Sequence, residues 1–399
     1  MWSVSSTEPA FRLRDIAVSA YGPTLVSSIG HGAVIPVLAL RARDLGADVG
    51  TAAFVVALLS IGPLVASLPA GAIVARIGER RALVIGGVVD AGAMLLAAAA
   101  HSVPALGAAV LLSGATWTFF LLARQGYMID AVPASHRARA LSALGGSMRI
   151  GLFIGPLLGA VLIGLAGIPG VFVLAAVTSL ISGSIALTMP DITADTRAAA
   201  ADAGHLSVWS VIRAHRFVLA TIGTSVIVLG ASRAARFTVL PLWADHIGLT
   251  ASETSVVFGI AAAVDMLFFY PAGWLMDRHG RTLTAVAVTG SIATGVLLLP
   301  LTHAEASYTA VAVLMAVGNG LGSGIVMTLG ADHAPAVGRP QFLGAWRLCG
   351  DIGGTTGPVV ISAVATIAPL ATACVVVGVL GWGGTAWVGY WVGRVRPVS

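Results

Sequence analysis

Long apolar runs, each closed by a short cluster of Gly, Pro and Arg, set the pattern of this chain from about residue 16 onward. A helix needs about 17–25 predominantly apolar residues to cross a hydrocarbon layer of about 30 Å. Twelve runs reach that length, at about 16–40, 52–75, 82–100, 104–128, 139–166, 169–189, 217–243, 254–276, 282–301, 306–331, 340–367 and 370–392. A transmembrane barrel would show alternating segments of ~10 residues instead, and none is present. The pattern predicts an all-α polytopic membrane protein with twelve transmembrane helices. The first run is too long for a signal-peptide core and lacks a cleavage site, so it is expected to stay as the first helix.

One long polar stretch, "PDITADTRAAAADAGHLSVWSVIRAHR" at 190–216, divides the chain. It predicts an N-terminal six-helix half (1–189), a linker (190–216) and a C-terminal six-helix half (217–399). The halves repeat. An offset of 202 residues lays Pro69-Ala70-Gly71 on Pro271-Ala272-Gly273, Arg76 on Arg278, Gly78 on Gly280 and Asp130 on Asp332. The same offset lays Arg137 on Arg339, Gly151 on Gly353 and Gly155-Pro156 on Gly357-Pro358. Rare Arg, Asp and Pro matching in one register is not a by-product of Gly/Ala richness. Six spans per half give both copies one orientation, hence a parallel repeat about the membrane normal.

Composition agrees: 57% hydrophobic, 10% charged, mean hydropathy +0.94, against about 25% charged in soluble domains. All 22 basic residues are arginine. Without lysine there is no Walker A phosphate loop and no Schiff-base chemistry. Arginine does not release its proton in proteins, so a proton carrier must be Asp, Glu or His. Of the 22 arginines, only Arg41 and Arg43 fall in loops on one side and five fall within spans, leaving fifteen on the other side. By the positive-inside rule, that places both termini in the cytoplasm. Dispersed arginines are topology signals rather than a nucleic-acid surface. Cys349 and Cys374 sit in apolar runs without metal or redox spacing; no cofactor or metal is expected.

These residues resemble the major facilitator superfamily over essentially the whole chain. That family carries Gly-x-x-x-Asp-Arg-x-Gly-Arg between its second and third helices, and again between the eighth and ninth. Gly273, Asp277, Arg278, Gly280 and Arg281 match it fully; Gly71, Arg76 and Gly78 match in the first half, where Ala75 replaces the aspartate. The resemblance implies a gating loop, the alternative being simple topology-setting charges. The glycines are expected to serve tight reversal and close helix approach. Gly151, Gly155, Pro156 and Gly159 resemble the fifth-helix antiporter motif, and the repeat places Gly357-Pro358 in the eleventh helix. Small residues at i, i+4 also serve ordinary helix packing. Arg124-Gln125-Gly126 resembles the fourth-helix motif with a shorter spacing.

Ionisable residues inside the membrane are functional candidates. The spans hold Arg124, Arg149, Arg233, Arg236 and Arg347 against Asp90, Asp265 and Asp351, with His31, Trp117 and Asn319 nearby in the pattern. Asp265, Asp351 and His31 are the proton-coupling candidates. Asp90 lies on the third helix, which the resemblance puts outside the cavity, and is expected to be structural; Trp117 is expected to be a packing residue. Arg347 and Asp351, at i and i+4, are expected to pair. Arg233 and Arg236 share a face and could hold an anionic group, close an outer gate or pair structurally. In the family fold the fifth and eighth helices face each other, so Arg149 and Asp265 are expected to meet between the halves. Asp15, at the edge of the first helix, is the only acid there. With five cations against three acids, an anionic, zwitterionic or neutral substrate is expected over a cation.

The expectation is a monomeric secondary transporter in the inner membrane that exchanges protons for a small organic molecule by alternating access, most simply in export. Import of an organic anion and a non-transporting sensor or scaffold are the alternatives. An enzyme is not expected: no nucleophile–base constellation is visible.

Overall fold

The computed structural model describes residues 17–132, 137–189, 208–335 and 339–395. Asp15 and the linker stretch 190–207 lie outside them. Among the described residues there is no strand. Eleven stretches are long and apolar enough to cross a membrane. One of them, Ala143–Leu187, has 45 residues, twice what one crossing needs. It breaks at Gly167, whose φ of 67° is not helical, so it counts as two and the total is twelve.

The helices are α1 (Ala17–Asp44), α2 (Val49–Ile77), α3 (Glu79–Ala98) and α4 (Val103–Ala131). The run Arg137–Leu187 is α5 and α6, on either side of Gly167. A short helix at Val208–Ala214 and a π-helical turn at Leu219–Gly223 lead into α7 (Thr224–His246). Residues 208–216, expected in the linker, are thus already mostly helical. The run Ala251–Leu298 is α8 and α9, parted at Gly280 with φ 86°. α10 comes in two pieces, Glu305–Leu321 and Ile325–His333, and is followed by α11 (Arg339–Ile367) and α12 (Leu370–Val392). The break in α10 corrects the continuous helix expected over 306–331. Its cause is the glycine-rich run Gly318 to Gly324, which ends in a left-handed residue, Gly324, at φ 83°.

The 202-residue offset is written into the packing. On α5, a Cβ at Gly155 would lie 2.3 Å from the Ile29 carbonyl of α1; on α11, a Cβ at Gly357 would lie 2.3 Å from the Ala231 carbonyl of α7. Positions 29 and 231 are themselves repeat mates. The glycine motifs therefore press α5 onto α1 and α11 onto α7, inside each half. The tight turns repeat too: Gly78 and Gly280 both reverse the chain at positive φ. In the loops before α2 and α8, mates Asp48 and Thr250 cap the helices by accepting from the Thr51 and Glu253 amides. The Thr51 backbone and side chain hold the Asp48 carboxyl below its ordinary range.

Outward faces are apolar: Leu267, Val379, Leu380 and Ile367 stand exposed, as lipid-facing residues must. Between the halves, six hydrogen-bonded contacts join described residues. Four lie towards the α1–α2 and α7–α8 loops: Arg43 with Asp245, Ser362 with the Gly50 carbonyl, Ser252 with the Ala160 carbonyl, and Thr355 with the Ser60 carbonyl. The other two are made by Arg149. At the opposite, arginine-rich end no hydrogen bond joins the halves among the described residues. Gly71 and Gly273, expected to allow close helix approach, have no atom within 4 Å of where a Cβ would stand.

Gly155→Ala and Gly273→Ala should therefore behave oppositely. The first forces a backbone contact apart and should cost about 1–3 kcal/mol, less the ~1 kcal/mol that Ala gains over Gly in a helix. The second should leave stability unchanged or raise it. Thermal unfolding of the two purified variants checks the contrast.

Candidate functional site

Asp265 sits 14 residues into α8, about 21 Å along it at 1.5 Å per residue, and Arg149 sits at similar depth on α5. The structure brings them together: Arg149 Nη1 donates to Asp265 Oδ2 at 3.1 Å. The rest of each side chain is also occupied. Arg149 Nη2 donates to Ser323 Oγ at 2.6 Å, and its guanidinium lies 4.5 Å from the centre of the Phe269 ring. Asn319 Nδ2 donates to the other oxygen of Asp265 at 2.9 Å. Each side chain keeps about a fifth of its surface open, 22% and 19%, so the pair is shielded but not sealed.

The break in α10 serves this cluster. It exposes the Gly322 carbonyl, which accepts from Arg233 Nη2 at 2.9 Å, and it carries Ser323. Neither residue was picked out by sequence reasoning; the glycine run "GNGLGSG" was the available signal. Arg236, one turn from Arg233 on α7, is 6% exposed and lies 4.7 Å from the centre of the Phe237 ring. Its Nε and Nη1 find no acceptor. Arg124 reaches Thr24 Oγ1 at 3.4 Å and Met148 Sδ at 3.6 Å.

The expected Arg347–Asp351 pair does not close to hydrogen-bond distance, although the guanidinium still acts on the carboxylate through space. Asp351 Oδ2 is buried without a hydrogen-bond partner, and no ion pair joins the two residues. Helical side chains lean towards the N-terminus, so the long Arg347 chain leans away from a residue one turn further on. The order acid-before-base is the favourable one, and here it is reversed.

Asp351 instead faces a cavity of about 230 Å³ between the halves, walled by α1, α2, α4, α7 and α11. His31 and Trp117 form one wall, stacked face to face with ring centres 4.3 Å apart and planes 9° from parallel. Trp117, expected to be packing, does pack, against His31 and Phe120, and also lines the cavity. Phe237, Ser60 and Pro63 complete the polar and aromatic part of the lining. None of the five span arginines lines it. Asp90 lies behind that wall in the N-terminal half, its carboxylate taking hydrogen bonds from Ser113 (2.6 Å), Thr116 (3.1 Å) and Ser179 (2.6 Å).

At the arginine-rich end, Asp277 and Arg278 are exposed, with Arg278 over the Trp274 ring at 5.2 Å. Arg281 pairs with Asp332 of α10 at 3.0 Å. Arg76 is exposed.

A family model described as Major Facilitator Superfamily matches residues 24–358. The chain belongs to that superfamily. Its superfamily relatives include an uncharacterized MFS-type transporter, YddS, of Bacillus subtilis (strain 168), 29% identical over 318 residues, 74% of this chain and 72% of that one. Multidrug resistance protein 2 of the same organism is 24% identical over 282 residues, 67% of this chain and 68% of that one. Among solved structures, a point mutant of the nucleoside transporter NupG matches with a TM-score of 0.71 at 14% identity, covering 94% of this chain and 99% of that one. The superfamily fold, two six-helix halves about a central cavity, is the one found here. The protein is a multi-pass membrane protein of a transporter family, not an enzyme.

Removing one partner from the central pair strands the other. Breaking a buried pair in this way costs about 3–5 kcal/mol, and with a fifth of each side chain open the low end is expected for Arg149→Ala. The Arg149→Ala/Asp265→Ala double variant should recover part of that loss. Thermal unfolding of the two single variants and the double measures the coupling.

Proposed function

We propose that this protein is a proton-coupled secondary transporter that exports small organic molecules by alternating access. It works as a monomer in the inner membrane with both termini in the cytoplasm. The observation that carries the reading is the Arg149–Asp265 pair, because it is the charged contact that bridges the halves at mid-depth. The arginine keeps its charge at any working pH. If the halves rock and α5 parts from α8, Asp265 is left as a carboxylate in a low-dielectric setting. It must then find another cation or take up a proton. Protonation removes the cost of parting the halves, and loss of the proton draws them back to Arg149.

Further features support the direction. Ties at the far end, and open space beside Gly71 and Gly273 at the arginine-rich end, support a bundle open to the cytoplasm under the positive-inside orientation. That is where an exporter loads. Gly71 and Gly273 hold the space that α11 and α5 would need to close that end. A multidrug resistance protein among the relatives favours export of organic molecules. In this scheme Asp277, Arg278, Arg281 and Arg76 form the loops that meet when the cytoplasmic end closes.

Asp265→Asn in liposomes tests the coupling. We expect substrate exchange to be retained and accumulation driven by a pH gradient to fall to background. Full gradient-driven accumulation by the variant eliminates Asp265 as the carrier and turns attention to Asp351 and His31.

A further inference from the structure

The central ion-pair cluster has a second copy. Adding 202 to His31, Pro63, Trp117 and Arg149 gives Arg233, Asp265, Asn319 and Asp351. The eight residues are therefore two sets of four equivalent positions, each straddling the interface between the halves. In one set, Asp265 on α8 meets Arg149 on α5, with Asn319 and Arg233 closing around them. In the other set, Pro63 stands on α2 where the acid was, Asp351 on α11 where the arginine was, and His31 and Trp117 where Arg233 and Asn319 were. The second set lines the cavity. The first set holds an ion pair, although Arg233 Nε and Asn319 Oδ1 keep no hydrogen-bond partner, whereas the second offers an aromatic wall and a carboxylate with no ion pair.

We infer that Asp351 is the anchor for the positive group of the substrate, and that the substrate class is an amphipathic organic cation: a protonated or quaternary amine on an aromatic body. This rests on the transport reading of the cavity given above. Asp351 lines the cavity without an ion-pair partner, one of its oxygens buried and unpartnered, which is costly, and a cation in the cavity offsets its charge. The aromatic body finds the Trp117–His31 wall and Phe237, whose faces attract a cation. Arg236 already covers part of Phe237, and Trp117 stacks on His31 and Phe120, so a ligand meets what the cavity leaves open of these rings. Arg347, one turn along α11, acts on Asp351 through space but makes no hydrogen bond to it, and does not line the cavity. The five span arginines, which by simple count favoured an anionic or neutral substrate, are absent from the lining. The cavity carries the acid without them.

The test uses full-length protein in nanodiscs and a pair of probes of one shape and opposite charge. These are N-methyl-4-phenylpyridinium, a cation, and biphenyl-4-carboxylate, an anion. Equilibrium binding of each is measured with no ion gradient. We expect the wild type to bind the cation at least about ten-fold more tightly than the anion. Asp351→Asn should weaken the cation by about ten-fold or more, with Asp351→Glu retaining most of the affinity. Anion binding equal to or tighter than cation binding by the wild type overturns the inference. So does wild-type cation affinity in an Asp351→Asn variant that unfolds at the wild-type temperature. If Asp351→Asn does not fold, the charge preference of the wild type and the affinity of Asp351→Glu decide. Because no gradient is present, the transport reading fails separately: a protein that binds the cation but never accumulates it in liposomes keeps this site and loses that mechanism.

Discussion

A guanidinium and a carboxylate in the middle of an apolar bundle can be tolerated only together, and much of this molecule is arranged around that fact. Arg149 and Asp265 come from different halves, so neither half can satisfy its own charge. Their remaining donors and acceptors are met by Asn319, Ser323 and the face of Phe269. To supply Ser323, and the Gly322 carbonyl for Arg233, α10 gives up helical continuity over a stretch of glycines. Non-helical backbone at such depth is tolerated only where it is buried in protein or lines a cavity, and here it meets both arginines. The glycine contacts on α5 and α11 hold α1 and α7 in place, so the charged cluster and the cavity share one rigid frame.

Internal duplication gives this frame its economy. Equivalent positions in the two halves make the same turns, the same caps and the same glycine contacts. Function enters where the copies part. One set of four positions became a charge cluster that can report on the separation of the halves. The other kept a lone acid among aromatic rings. A transporter needs both a place that senses its own conformation and a place that holds cargo, and a repeat supplies two similar places that can diverge.

The helices, the two halves and the repeat were legible in the sequence, because hydropathy and a single offset encode them directly. The meeting of Arg149 and Asp265 was legible from depth counting together with the family resemblance, since both residues fall near mid-span. The break in α10 was not. A glycine run inside an apolar span reads as close packing until its dihedral angles are seen. The Arg347–Asp351 expectation failed because spacing gives a shared face but not the direction in which each side chain leans. The charge count along the spans and the charge on the cavity wall point to different substrates for a related reason: a count ignores where in the fold each charge sits. Ser323 and Gly322 carried no chemical signal, because a serine and a glycine become ligands only when the backbone around them opens.

At the far end, Arg43 and Asp245 face each other at 3.2 Å, and they occupy the same position of the repeat, 202 residues apart. A residue on a two-fold axis meets its own copy. In a dimer of identical halves that contact would set arginine against arginine or acid against acid, and the two charges would repel. Joining both halves in one chain removes this restriction, because each copy of the position can then take its own sign. The attraction that ties this end of the bundle is thus available to a fused molecule and closed to a symmetric pair of separate ones.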